Sequence, residues 1–200
     1  MDRISNITEL EKLYDVDVPV AFSKVQSSLT PHYQRWINSA RFTILSTVGP
    51  EGTDASPRGD IDNVVRIVDE NTLWLPDWRG NNRIDSLRNI VRDDRVSLLF
   101  MVPGSKNVIR INGTALITAD KEVTDAFVHI GKSPRSVIVI TVVEVYFQCA
   151  KALMRSQLWS SEDESAGLPT AGAFLKEVES KFDADSYDED YPEYAKDKMW

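Results

Sequence analysis

The chain has 200 residues, a formal net charge of −8 and 42% hydrophobic residues, which is typical of one globular domain with a core of ordinary size. Its acidity argues against a nucleic-acid-binding protein, and its longest apolar run, residues 137–143, is too short to cross a bilayer. A single cysteine, Cys149, and an N-terminus without a signal-peptide pattern predict a cytoplasmic protein without internal disulfides.

Two short helices are predicted ahead of the first strand. Ile7, Leu10 and Leu13 recur at helical spacing, which predicts a helix from Asn6 to about Asp15. Thr30-Pro31 is typical of an N-cap followed by the first helical residue, and this helix is predicted to end near Ala40.

From residue 41 onward the pattern changes to strands. Gly113 interrupts the apolar alternation of one of them, which predicts a bulge or a corner. A helix is predicted over 83–91 and another from Asp120 to about Ile130. Successive strands with short turns and few crossover helices indicate an antiparallel sheet closed into a barrel. The strands are predicted over 42–48, 53–58, 64–69 continuing over 72–76, 95–102, 108–119 and 136–147.

The last quarter of the chain is acidic. A short helix or turn over 149–159 and a final helix from near Thr170 are predicted before an acidic, tyrosine-rich end. The tyrosines and Trp200 favour an arm lying on a surface, while the acidity alone favours disorder. We therefore expect a single domain, 1–200, with N-terminal helices over 1–40, a barrel core over 41–160 and an acidic C-terminal helix and arm over 161–200.

Two strand ends carry groups that bind phosphate-bearing ligands. The first is Ser56-Pro57-Arg58-Gly59-Asp60, and the second is the turn from Leu75 to Arg83. Serine hydroxyls, asparagine amides, backbone N–H groups and arginine forks all bind phosphate oxygens. Each arginine taken alone is equally well explained as surface charge, but their joint placement in an acidic chain favours a binding site.

The order of four motifs resembles the flavin-nucleotide-binding split barrels related to pyridoxamine 5'-phosphate oxidase. The resemblance covers roughly residues 30–160 and is closest to the subgroup with a Ser-Pro-Arg-Gly-Asp strand end. The motifs are Ser56 to Asp60, Leu75 to Arg83, Phe100 to Gly104 and Arg110 to Gly113, followed by Cys149-Ala150-Lys151-Ala152 and Arg155-Ser156-Gln157-Leu158-Trp159.

This resemblance implies a six-stranded antiparallel split β-barrel that forms a homodimer, with two FMN sites across the subunit interface. It assigns phosphate or ribityl contacts to Arg58, Asn82 and Arg83, with Ser56 and Asn81 nearby, and close main-chain approach to Pro57 and Gly59. Arg155 is the candidate cation for the flavin ring of the other subunit, with Ser156 and Trp159 lining that ring. The alternative is that Arg155 is a helix-end cation and Trp159 a core or interface aromatic.

The chain departs from the true oxidases in its C-terminal segment. Those enzymes resemble one another in a basic C-terminal region that holds the substrate phosphate, whereas residues 160–200 here contain no arginine and are strongly acidic. Like charge there would repel a phosphorylated vitamer, so we do not expect synthesis of pyridoxal phosphate. His32 and His129 lack metal-ligand spacing, so no metal site is expected.

Three functions remain open from the sequence. The first is an FMN-dependent oxidoreductase that passes hydride or electrons to a small substrate, with NAD(P)H as a transient donor because no Gly-x-Gly-x-x-Gly motif is present. The second is a non-catalytic protein that binds or stores a flavin or related cofactor, favoured because no acid–base pair is evident. The third is a dimeric structural protein with an empty pocket.

Overall fold

The computed structural model describes residues 1–14, 19–160, 162–196 and 198–200. In these ranges the chain forms a seven-stranded antiparallel sheet with helices at its periphery. The strands are β1 (Phe42–Gly49), β2 (Gly52–Gly59), β3 (Arg66–Ile67), β4 (Thr72–Asp77), β5 (Arg95–Met101), β6 (Val108–Thr118) and β7 (Ser136–Gln148). The helices are α1 (Ile7–Glu11), α2 (Val20–Ser23), α3 (Pro31–Ile37), α4 (Asp85–Arg92), α5 (Lys121–Thr124), α6 (Lys151–Ser156), α7 (Ala171–Val178) and α8 (Ala184–Lys196), with a 3₁₀ turn at Asp125–Phe127.

The predicted class, mainly β with peripheral helices, is confirmed, but the sheet has seven strands instead of six. The expected third strand, 64–69 continuing over 72–76, is two strands because the chain reverses between them. Asp69 Oδ1 accepts from the Asn71 N–H at 2.7 Å, which closes the turn. β3 is therefore a two-residue strand that pairs antiparallel with β4.

The helices differ from their predicted lengths more than the strands do. Asn6 caps α1 with its side chain and Thr30 stands at the N-cap of α3, but both helices end earlier than the apolar spacing predicts. The helix expected from Asp120 to Ile130 stops at Thr124 and continues only as a 3₁₀ turn. The first expected helix extends to Asp15, which lies outside the described residues.

The sheet has the order β2-β1-β5-β6-β7-β4-β3 and is open between its two ends. In the described part of the chain β2 and β3 do not pair with each other. Because β3 covers only Leu73 and Trp74 of its neighbour, the carboxyl end of β4 is free on that side. We call the opening between the end of β2 and the end of β4 the seam.

Alternating side chains fill the inner face of the sheet. In β1 and β5 every second residue is buried, as expected for strands with one face on a core. Helix α3 adds Ile37 to the same cluster. The largest fully buried side chains on the strands are Leu45, Leu73, Leu75, Leu98, Phe100, Ile111, Ile138 and Ile140.

A bulge interrupts the long β6–β7 ladder, as Gly113 predicts. The register shifts between Asn112, which faces Glu144, and Gly113, which faces Val142, so Val143 has no partner. Inward-facing positions on β7 then change phase, from Ile138, Ile140 and Val142 to Val145. A Cβ at Gly113 would lie 2.0 Å from the Thr141 carbonyl oxygen, so only glycine fits.

The acidic C-terminal end is a helical hairpin. Thr170 caps α7 by accepting from the Ala173 N–H at 3.1 Å, and Asp188 of α8 accepts from the Gly172 N–H at 2.9 Å. Tyr187, Tyr191 and Tyr194 form a ladder of neighbouring rings along α8. The segment predicted as an arm or a disordered tail is therefore mostly helix, although Pro192 lies within it.

No helix in the described ranges combines the length and apolar character that crossing a membrane requires.

The loop between α4 and β5 predicts a specific acid sensitivity. Hydrogen bonds from the Arg95 side chain and backbone lower the pKa of Asp93 from its ordinary value to about 2. Because the folded-state pKa is depressed, this contribution to stability is complete above the ordinary carboxyl pKa and is lost as pH falls towards 2. We expect Asp93→Asn to flatten the loss of stability between pH 5 and pH 2, measured by urea unfolding at each pH.

A suitable control for this experiment is Asp94→Asn. That neighbouring side chain makes no hydrogen bond within the described residues, so its variant should follow the parent curve. Parallel curves for the parent and Asp93→Asn would contradict the prediction.

Candidate functional site

A cavity of about 710 Å³ lies at the seam. Its walls come from the end of β2, the end of β4 with the turn that follows, the start of β7, and the last two residues of the chain. Seven of the ten residues predicted to bind a cofactor line it together: Ser56, Pro57, Arg58, Gly59, Asn81, Asn82 and Arg83. The two motifs, separated by more than a dozen residues in sequence, therefore form one site.

The Arg58–Asp77 ion pair crosses the seam. Arg58 is the second-last residue of β2, Asp77 is the last residue of β4, and Arg58 Nη1 donates to Asp77 Oδ1 at 2.5 Å. Both side chains are mostly buried, at 19% and 17% exposure, so the pair is better shielded from solvent than a surface ion pair. Within the described residues the Nε of Arg58 is buried without a hydrogen-bond partner, so the guanidinium retains unused donor capacity.

A second contact crosses the seam just beyond the strand ends. Trp78 Nε1 donates to Asp60 Oδ2 at 2.9 Å, while the other oxygen of Asp60 accepts from the Ile61 N–H at 2.7 Å. Both oxygens of this carboxylate are therefore occupied, and its structural role is to hold the Trp78 indole against the cavity.

The turn after β4 presents amide and guanidinium groups. Asn81 Oδ1 accepts from the Arg83 N–H at 3.0 Å, an Asx turn, and Asn82 takes the left-handed conformation with φ +62°, which asparagine tolerates. Arg83 is largely exposed and donates from Nε to Asp85 at 2.6 Å. This hydrogen bond raises the pKa of Arg83 above its ordinary value and lowers the pKa of Asp85.

Arg135 is a site residue that the sequence reasoning missed. Its Nη1 donates to Asn82 Oδ1 at 2.6 Å, which ties the turn to the start of β7. The cause is the register of the β4–β7 ladder, in which Asp77 faces Ser136. A sequence argument that had paired the start of β7 with the end of β4 would have found it.

The cavity is cationic in an acidic chain. Four arginines line it, Arg58, Arg79, Arg83 and Arg135, against two aspartates, Asp60 and Asp77. The side chains of the lining thus carry an excess of two positive charges, whereas the chain as a whole has a net charge of −8. An arrangement of this kind attracts a small dianionic group.

A strained turn lies beside the cavity, where His129 contacts Trp200. His129 and Lys132 exchange two backbone hydrogen bonds of 2.9 Å, and the residues between them, Ile130 and Gly131, have φ of +48° and +72°. Positive φ at both central positions is the type I′ geometry, which favours Asn-Gly. A β-branched residue there costs about 1–2 kcal/mol.

We expect Ile130→Asn to stabilise the protein by about 1 kcal/mol, because asparagine tolerates the left-handed conformation and Ile130 is 78% exposed, with little packing to lose. Urea unfolding measures the change. Ile130→Val is the matched control, since it keeps the β-branch and should not stabilise. Equal free energies of unfolding for the parent and both variants would contradict the claim that the backbone at Ile130 is strained.

The other three predicted residues lie away from this cavity. Arg155 and Ser156 are exposed on α6, and neither they nor Trp159 line the cavity of their own chain. Trp159 Nε1 donates to the Ser105 carbonyl at 2.7 Å, which attaches the segment after α6 to the β5–β6 hairpin. A role for these residues at a flavin therefore requires a second copy of the chain.

Met199 and Trp200 complete the cavity, and sequence reasoning gave them no part in it. The tyrosine-rich composition indicated only that Trp200 would lie on some surface.

Comparisons with known proteins agree with the geometry. Residues 29–149 match the profile of the pyridoxamine 5'-phosphate oxidase family. HupZ of Group A Streptococcus is 18% identical, with a TM-score of 0.50 over 60% of this chain and 94% of its own. An FMN-binding protein of Syntrophomonas wolfei is 15% identical, with a TM-score of 0.41 over 55% of this chain and 78% of its own. A search of curated protein sequences found no match.

At 18% identity, the likeness to HupZ supports the fold alone. The family match is more informative, because it runs from Leu29, two residues before α3, through the whole sheet to just past the end of β7 and spans more than half of the chain. It contains both strand ends that form the cationic cavity. The chain therefore belongs to the pyridoxamine 5'-phosphate oxidase family.

Proposed function

We propose that this protein binds FMN in the cationic cavity and acts as an oxidoreductase, transferring hydride or electrons through the flavin to a small substrate. The observation that carries the proposal is the excess of two positive charges among the side chains that line one cavity. A phosphate monoester carries close to two negative charges at neutral pH, and arginine forks bind its oxygens in pairs.

The phosphate-binding residues of this proposal are Arg58, Asn82 and Arg83, with Ser56 and Asn81 beside them and Arg135 as an addition from the structure. Within the described residues the Nε of Arg58 is buried without a hydrogen-bond partner. This fits a site in which a ligand supplies the missing acceptor. Pro57 and Gly59 lie in the same wall and would let the main chain approach the cofactor.

The proposal includes a homodimer with the FMN sites at the subunit interface. The sheet exposes a second groove of about 700 Å³ whose lining includes Val143, a bulge residue that is 55% exposed. An apolar side chain on an open sheet face is a feature that a second subunit can cover. In such a dimer Arg155, Ser156 and Trp159 would serve the flavin of the other subunit.

Bound FMN would supply reversible one- and two-electron chemistry. The residues of this chain would bind the phosphate, orient the ring and limit access to it, and NAD(P)H is the proposed transient donor. Membership of the family supports the cofactor. The Ser56 to Asp60 motif supports a Ser-Pro-Arg-Gly-Asp subgroup as part of this proposal. Since residues 160–200 contain no arginine, pyridoxamine 5'-phosphate is not the proposed substrate.

A second candidate is a protein that binds or stores a flavin without turnover. It is favoured by the state of the two carboxylates in the cavity. Asp77 is paired with Arg58, and Asp60 accepts from both Trp78 and Ile61, so neither is free to act as a general acid or base.

An absorbance spectrum of the purified full chain, before and after anaerobic NADPH and NADH, separates these functions. Flavin bands that bleach and recover in air would support the oxidoreductase, while bands that never bleach would favour storage. If no bands were present even after incubation with FMN and dialysis, the cofactor assignment would be wrong. Light scattering on the same sample tests the dimer.

A further inference from the structure

The cavity lining contains aromatic rings as well as arginines. Trp200 lies edge-on to Trp78, with ring centroids 5.0 Å apart and an interplanar angle of 89°. It also contacts His129, at 4.6 Å between centroids. Trp78 and Trp200 both line the cavity, and we call the three rings the aromatic wall.

Two separate elements hold the aromatic wall in place. Asp60 fixes Trp78 through its indole N–H, as described above. The 129–132 turn holds Trp200 from the other side, where Lys132 Nζ donates to the Trp200 carbonyl oxygen at 3.2 Å and His129 contacts the ring. The strained left-handed backbone of Ile130 is part of the turn that places both of these side chains.

The rings of the aromatic wall do not belong to the hydrophobic core. Trp78, His129 and Trp200 are each only partly buried, and none belongs to the buried cluster inside the sheet. Indole rings that remain open to a cavity offer their faces to a ligand, where stacking on a flat ring is favourable.

We propose that Trp200 is a binding and specificity-determining residue that contacts the planar ring of the ligand whose phosphate the arginines hold. The inference rests on the proposed function and adds a second recognition element to it. A ligand with both an anionic group and a flat ring can contact the arginines and the aromatic wall at once. Free phosphate or a non-aromatic phosphate ester can contact only the arginines. Trp200 thus selects for the ring, independently of the charge.

The test compares two flavins on the full chain and three variants. FMN carries the ring and the phosphate, and riboflavin carries the ring alone. We expect Trp200→Ala to weaken both by a similar factor, roughly tenfold, because one stacked ring is lost. The ratio of the two affinities should stay at the parent value, and Trp200→Phe should restore most of the loss. Flavin fluorescence titration measures the dissociation constants, and circular dichroism checks the fold.

Phe174→Ala is the matched control, since it removes an exposed aromatic ring from α7 outside the cavity lining. It should bind both flavins as the parent does.

The outcomes separate the two proposals. If the parent binds FMN and Trp200→Ala leaves both affinities unchanged, the role of Trp200 is wrong and FMN binding stands. If Trp200→Ala weakens FMN but not riboflavin, Trp200 acts on the phosphate side and the ring assignment is wrong. If the parent binds neither flavin, the proposed function fails and this inference fails with it.

Discussion

A Gly113→Ala variant is expected to lose roughly 3 kcal/mol or more of its free energy of unfolding. The added Cβ would lie 2.0 Å from the Thr141 carbonyl oxygen and 3.1 Å from its carbon, and both are backbone atoms of the adjacent strand. β6 and β7 are the longest strands of the sheet and both lie in its interior, so neither can move aside without disturbing a second ladder. In a chain of this size the loss corresponds to a fall of roughly 6–12 °C in Tm.

Gly80→Ala provides the control for this prediction. Nothing lies within 4 Å of a Cβ at Gly80, so the same chemical change should leave stability nearly unaltered. Urea unfolding gives both values, and a Gly113→Ala protein within 1 kcal/mol of the parent would show that the bulge adapts more easily than its geometry implies.

Arg58→Ala is expected to weaken FMN binding by about 1.5–3 kcal/mol, or roughly 10- to 150-fold, because a charge-assisted contact to the phosphate is lost. The effect is compounded by Asp77. Without its partner this half-buried carboxylate would face the phosphate as a second negative charge.

Two comparisons make this experiment specific. Riboflavin lacks the phosphate, so its affinity should change little in Arg58→Ala. The double variant Arg58→Ala with Asp77→Asn removes the unpaired carboxylate and should recover part of the loss. Arg92→Ala, a change at an exposed arginine outside both the cavity and the second groove, is the control. If Arg58→Ala left the FMN affinity unchanged, the phosphate assignment would be wrong.

The strands and the antiparallel class could be predicted from the sequence because both depend on local patterns. In β5 the buried residues Val96, Leu98 and Phe100 follow an apolar pattern of period two, and Gly113 indicates the bulge by interrupting the apolar alternation of β6. The strand count was wrong because 64–69 and 72–76 were predicted as one strand that continues after a turn, whereas the chain reverses there and only Arg66–Ile67 pairs as β3. Its existence depends on the turn that folds it back on β4.

Only those site residues that belong to a short sequence motif could be predicted. Ser56 to Gly59 and Asn81 to Arg83 are short, recognisable segments, and the structure places them together. Arg135 depends on the β4–β7 register, which is a long-range property with no local signal. Trp200 was missed because an acidic segment containing Pro192 resembles a tail, whereas the α7–α8 contacts and the tyrosine ladder make it a helix.

The two contacts across the seam join the end of β2 to the end of β4 through side chains, where no backbone ladder links these strands within the described residues. Amide protons at these strand ends should therefore exchange with solvent faster than those of the central ladders, since opening there breaks only side-chain bonds. A phosphate that accepts hydrogen bonds from Arg58 would therefore change the equilibrium between the closed and the open strand ends. Ligand binding and local opening of the strand ends are then thermodynamically coupled. A substitution that makes these strand ends open more easily will weaken binding even where the substituted residue does not contact the ligand.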